Sequence, residues 1–129
     1  MAVSIFQFAL LVLSQARKRI KKYKKKKKKF DEKLFKKIIK KIDFELTNDQ
    51  YKAIYEINKD LSSEFKMFRL LQGDVGSGKT IVSLVAAANV IKSNYQVALM
   101  APTEILAKQH YALVKNLFKS TDFNISLLT

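Results

Sequence analysis

The run Gly73-Asp74-Val75-Gly76-Ser77-Gly78-Lys79-Thr80 holds every glycine in the chain, and it fits the phosphate-binding loop pattern G-x-x-x-x-G-K-[ST]. A loop wraps a triphosphate only where successive backbone N–H groups turn inward, which calls for positive φ angles and no Cβ in the way. Glycines at these spacings supply both. Lys79 then carries an ammonium to the β- and γ-phosphates, and the Thr80 hydroxyl is set to ligate a bridging Mg²⁺. The motif requires a strand before the loop and a helix after it. Residues 67–71 are short and apolar apart from Arg69, as a buried strand would be, and residues 81–91 are alanine-rich and long enough for a buried helix. The plainer reading, a glycine turn between two elements, leaves the register of Lys79 and Thr80 unexplained.

Farther along, residues 96–100 read as a second strand, reached through the helix, so residues 67–100 form a βαβ unit with a right-handed crossover. Ala101-Pro102-Thr103-Glu104 breaks that strand, and Thr103 is the cap of a helix running to about Phe118. A third strand begins at residues 125–128. The expected fold is α/β, a parallel sheet with flanking helices, with three of its strands in this chain. Ahead of the loop, Thr47 and Gln50 form a T-x-x-Q capping box at the start of a helix carrying Ala53, Ile54, Ile57 and Leu61.

The net charge of +14 suggests a nucleic-acid surface until it is located. Residues 17–41 hold sixteen of the basic side chains against Asp31 and Glu32 alone, and the rest of the chain is neutral. Within that stretch, residues 24–29 are six consecutive lysines, read as an exposed linker or a fraying helix end, with a solvated patch and a phosphate-contacting role both open. Asp31 is placed to cap a following helix in which Leu34, Phe35, Ile38, Ile39 and Ile42 recur at three- and four-residue steps. Residues 3–16 are apolar, but their basic flank follows the stretch, which is too short to span a hydrocarbon core of about 30 Å. An amphipathic helix packed on protein is the expectation there, with a membrane-surface helix as the lesser alternative. The absence of cysteine rules out disulfides and thiolate metal sites. The lone His110 is assigned no chemistry.

Several blocks taken together resemble the front of the helicase core of RecG-type ATP-dependent DNA helicases of superfamily 2. They are Leu46-Thr47 to Gln50, Arg69-Leu70-Leu71-Gln72 leading into the loop, Val97-Ala98-Leu99-Met100-Ala101-Pro102-Thr103-Glu104-Ile105-Leu106-Ala107, and Gln109-His110-Tyr111. The resemblance is strong over residues 44–129 and looser over 1–43. It implies a partial RecA-like P-loop NTPase domain at 44–129, preceded by a helical, lysine-rich linker at 1–43. Gln50, with Thr47, would read the adenine edge, since an amide donates and accepts at once. Gly73, Asp74, Val75, Gly76, Ser77, Gly78, Lys79 and Thr80 would hold ATP and Mg²⁺, with Lys79 and Thr80 carrying the catalysis and Thr80 the metal. Pro102 and Thr103 would grip a DNA phosphate at a helix start, although a strand-to-helix turn with a cap accounts for them equally well. The implied whole is a cytoplasmic, monomeric enzyme that remodels branched DNA in recombination and repair, with DNA and ATP as partners and no membrane.

The family's later acidic motif and its second motor domain fall outside the match, so the chain is expected to be a fragment that hydrolyses ATP negligibly by itself. Two rivals stand beside this reading. One is the sibling group of transcription-repair coupling translocases, which typically differs at the positions of Ser77 and Glu104. The other is a non-catalytic basic module for nucleic acid or an anionic membrane surface.

Overall fold

The computed structural model describes residues 23–129, which form four helices joined by extended segments. The expected helix at residues 3–16 lies outside the described residues. Helix α1 spans Glu32–Ile39, α2 Asn48–Ser62, α3 Lys79–Lys92 and α4 Glu104–Leu117. Their starts follow the sequence signals. The Asp31 carboxylate accepts from Leu34 N–H at 2.9 Å, the capping box of Thr47 and Gln50 is fully formed, and Thr103 Oγ1 accepts from Leu106 N–H at 3.3 Å. A cap of this kind contributes about 1 kcal/mol.

Helix α3 is the centre of the core. Ile81, Val82, Leu84, Val85 and Ala88 are all buried, so it is covered on nearly every side, as its sequence demanded. Helices α1 and α2 both pack on it, bringing Ile38, Ile54 and Ile57 into the same cluster. Leu117 and Phe118 at the end of α4 complete that cluster, and Phe123 packs on Phe118 with ring centroids 5.4 Å apart. Fully burying one such aliphatic side chain contributes about 1.5–3 kcal/mol.

A polar thread runs through this apolar centre. Asn89 Oδ1 accepts from Asp31 N–H at 3.2 Å, and Asn89 Nδ2 donates to Asn58 Oδ1 at 3.1 Å. Both asparagines are buried. Buried amides with partners fix relative placement, because any slip leaves them unpaired. The thread therefore sets α1, α2 and α3 in one register.

One sequence expectation is corrected, and a second is met only in part. The six lysines form no fraying helix end; Lys24, Lys26, Lys27 and Lys29 are exposed, as in the linker reading, but the segment is pinned to the helices. Residues 24–29 run extended across the carboxyl ends of α2 and α3, with Lys25 N–H donating to Glu64 O at 2.7 Å and Lys28 N–H to Leu61 O at 3.0 Å. Lys29 N–H reaches Ser93 Oγ at 3.2 Å. Lys25 Nζ turns inward onto three carbonyls, those of Asp60, Leu61 and Ser63, at 3.2, 2.6 and 2.8 Å, while Lys28 Nζ sits 3.4 Å from the centre of the Tyr95 ring. Helix carboxyl ends carry unpaired carbonyls and the negative end of the dipole, so lysines are drawn to them. Burial lowers the Lys25 pKa, and the nearby Lys28 charge adds to that lowering.

The second concerns the sheet. Among the described residues no strand forms, and the only bridge is an isolated antiparallel one between Lys24 and Phe65. Residues 67–71, 96–100 and 125–128 form neither helix nor strand. Met67, Leu71 and Ile125 pack on the core, whereas Leu70, Met100 and Leu128 are 84%, 91% and 92% exposed. Parallel strands belong to sheets buried on both faces, and here the apolar residues that would form the second face have nothing over them.

Lys25→Ala takes a donor from three carbonyls at the end of α2, of which Asp60 O and Leu61 O keep the backbone N–H groups of Ser63 and Lys28, and is expected to lower unfolding free energy by about 1 kcal/mol. Lys26→Ala, which removes an exposed neighbour, should change it by less than about 0.5 kcal/mol. Urea unfolding followed by circular dichroism distinguishes the two.

Candidate nucleotide-binding site

The glycine-rich run leads into α3, whose burial fixes the direction in which the loop opens. Ser77 N–H donates to Asp74 O at 3.1 Å, closing a tight turn, and Val82 N–H bonds Gly78 O at 3.2 Å as the helix begins. Gly76 and Gly78 adopt positive φ of 81° and 76°, as the motif predicts. Gly73 does not. A Cβ there would lie 2.7 Å from Ser77 Oγ and would make that hydroxyl turn away.

Lys79, the first residue of α3, folds its side chain back into the loop. Its Nζ donates to Gly73 O at 2.6 Å, to Asp74 O at 2.5 Å and to Ser77 Oγ at 3.2 Å. The ammonium is thus held at the mouth of the loop by weak neutral acceptors, which a phosphate oxygen outcompetes. Gly78 caps α3 without any side-chain hydrogen bond, so no side chain occupies the first-turn N–H groups that attract an anion. Thr80 follows at the second position of the helix. These donors, with one hydroxyl beside them, suit a magnesium-bound polyphosphate. Asp74 enters the site through its carbonyl, and Val75 stands fully exposed at the loop tip.

Gln50 joins the capping box of α2 to the phosphate loop. Its Oε1 accepts from Thr47 N–H at 2.8 Å, completing the capping box, while Nε2 donates to Ser77 O in the loop at 2.8 Å. One amide therefore ties the start of α2 to the start of α3. An amide has four hydrogen-bonding positions, and these two contacts leave one donor hydrogen and one acceptor lone pair. Pro102 and Thr103 are exposed at the start of α4, and no hydrogen bond among the described residues connects them to the loop.

Arg69 was read only as a polar interruption in an apolar strand. Its guanidinium donates to Asp60 Oδ2 from Nε at 3.0 Å and from Nη2 at 2.7 Å, and to Glu56 from Nη1 at 2.7 Å. The Asp60 hydrogen bond is the largest influence raising its pKa. This clamp ties the residues that enter the loop to α2. A lone arginine inside an apolar run, with acids one turn apart at Glu56 and Asp60, is the signal that would have found it.

A loop, a leading glutamine and a buried following helix together define the front of a helicase-type nucleotide site, and residues 47–129 match the family model described as DEAD/DEAH box helicase. The chain belongs to that family. It is 52% identical over 125 residues to the ATP-dependent DNA helicase RecG of Aquifex aeolicus, covering 97% of this chain and 15% of the relative. It is 49% identical over 86 residues to the transcription-repair-coupling factor of Bacillus subtilis, covering 67% of this chain and 7% of that protein. A solved structure of RecG bound to a three-way DNA junction superposes with a TM-score of 0.76 at 44% identity, over 89% of this chain and 16% of that one. The likeness establishes a RecA-like helicase fold, as the resemblance in sequence implied. The chain spans about one-sixth or less of the length of these proteins.

Alanine at Gly78 should be costlier than at Gly76. Both positions carry a left-handed penalty of about 1–2 kcal/mol, but a Cβ at Gly76 meets open space whereas one at Gly78 strikes Gln50 Nε2. In a Gln50→Ala background the additional cost of Gly78→Ala should shrink, which a double-mutant cycle by chemical denaturation measures.

Proposed function

We propose that this chain is the nucleotide-binding front of a RecG-type helicase, one that uses ATP to remodel branched DNA in recombination and repair. The observation carrying this reading is Lys79 Nζ poised over the glycine loop on two carbonyls and one hydroxyl, all neutral acceptors, at the start of the buried helix α3, which has no side-chain cap. On binding, Lys79 would exchange those acceptors for the β- and γ-phosphate oxygens, Thr80 would hold Mg²⁺, and the α3 N–H groups would hold the phosphates. Magnesium when bound neutralises the phosphate charge. Gln50 offers its remaining donor and acceptor to the adenine edge. Thr103 and the first turn of α4 take a DNA phosphate. We take residue 44 as the start of the ATP-binding domain, with residues 1–43 as its basic lead-in, and the complete enzyme as a cytoplasmic monomer on DNA.

Hydrolysis in this reading needs an acid to position water and arginines to stabilise the transition state, both supplied by the rest of the motor. The transcription-repair translocase is the second reading, favoured by the 49% identity to that protein. The RecG likeness reaches through the basic lead-in as well, covering 97% of the chain.

Lys79→Ala in the complete enzyme should weaken ATP–Mg²⁺ binding at least about tenfold by titration calorimetry, since a charge-assisted contact contributes about 1.5–3 kcal/mol. Unchanged affinity would refute the assignment. Gln50→Ala should narrow the preference for ATP over GTP, with competition against a fluorescent nucleotide as the measurement.

A further inference from the structure

We propose that the lysine strap and the groove beside it form a site for single-stranded DNA, distinct from the phosphate loop. The strap's backbone is pinned by hydrogen bonds to the ends of α2 and α3, and this sorts its lysines. Lys25 and Lys28 are turned inward onto carbonyls and the Tyr95 ring. Lys24, Lys26 and Lys29 are exposed and have no acidic partner among the described residues. Alternate residues of an extended segment stand about 6.6 Å apart, close to two stacked nucleotide steps of about 3.4 Å each. Lys24 and Lys26 are such a pair, and Lys29, three residues on, adds a further outward cation on the same pinned backbone.

The strap runs directly into a groove of about 530 Å³ between α1 and α2, lined by Phe30, Phe35, Tyr51, Tyr55, Asn58 and Lys59 among others. Lys29 adjoins Phe30 at one end, and Ser62, another lining residue, donates to Lys28 O at 3.0 Å. Tyr55 is 71% exposed, and Tyr51 and Phe30 are also exposed. Asn58 Nδ2 is the one buried side-chain nitrogen or oxygen among the described residues without a hydrogen-bond partner, so a ligand bearing acceptors offers it one. A cationic track leading to exposed aromatic rings is how proteins hold unpaired nucleotides, phosphates on the lysines and bases on the rings. A duplex hides its base faces and cannot use the groove. A bilayer would find no apolar side chain along residues 24–29 to bury.

The test uses the complete enzyme and a short oligothymidylate carrying 5-iodouracil. Irradiation should give adducts on Tyr51 or Tyr55, located by mass spectrometry. Tyr55→Ala should weaken binding of the oligonucleotide about tenfold, with Tyr55→Phe restoring it, since the ring supplies the stacking. Replacing Lys24, Lys26 and Lys29 together by Gln should reduce the slope of log affinity against log salt by about 2. Lys79→Ala should leave the adducts in place, which separates failure of this site from failure of the nucleotide reading. Adducts confined to other residues, an unchanged salt slope, or lysine-dependent capture by phosphatidylglycerol vesicles without any adduct would each overturn the proposal.

Discussion

Everything in this structure hangs on the burial of α3. Val85 and Ala88 have no exposed surface, and Val82 retains 2%, so the helix is held by α1 and α2 rather than by its own propensity. A phosphate loop is useful only if its N–H groups and its lysine stay aimed at one point. Burying the helix that follows the loop achieves this, because its first turn cannot rotate without opening the core. The two buried asparagines strengthen the constraint from the other end, where Asn89 reads the position of both α1 and α2.

The local part of this arrangement was legible in the residues. The glycine spacing announced the loop, Asp31, Thr47 and Thr103 announced three helix starts, and the apolar, alanine-rich residues 81–91 announced a buried helix; all of these depend on neighbours within about one turn of chain. What escaped depends on partners far away in sequence. Lys25 finds carbonyls more than 30 positions distant, and nothing in a run of identical lysines distinguishes it from Lys26. Arg69 likewise takes its meaning from acids on the preceding helix. The unpaired state of residues 67–71, 96–100 and 125–128 belongs to the same class, because parallel pairing is set by neighbours and covering layers, not by the apolar run itself.

Charge is also distributed more economically than composition suggests. A block of six lysines repels itself and should resist compaction. Here the block is divided: two side chains are drawn in to satisfy helix ends and an aromatic face, and the exposed remainder is left outside on a fixed backbone. The repulsion is reduced by separating the inward from the outward cations, and the helix ends receive donors that the chain would otherwise need to supply with glycine or solvent. A segment that composition alone marks as a solvated tail thus becomes part of the packing of α2 and α3.

Gln50 shows how one side chain closes a helix cap and holds a neighbouring loop at once. Its carbonyl oxygen closes the capping box and its amide nitrogen holds Ser77, so the entrance of α2 and the entrance of α3 move as a unit. A base edge arriving at the remaining donor and acceptor would meet an amide already oriented by these contacts, with little rotamer freedom left to lose. It would also feel the state of the loop, since any shift of Ser77 pulls on the same nitrogen. In the proposed reading, base identity and phosphate occupancy would be coupled through a single amide, without a moving domain between them.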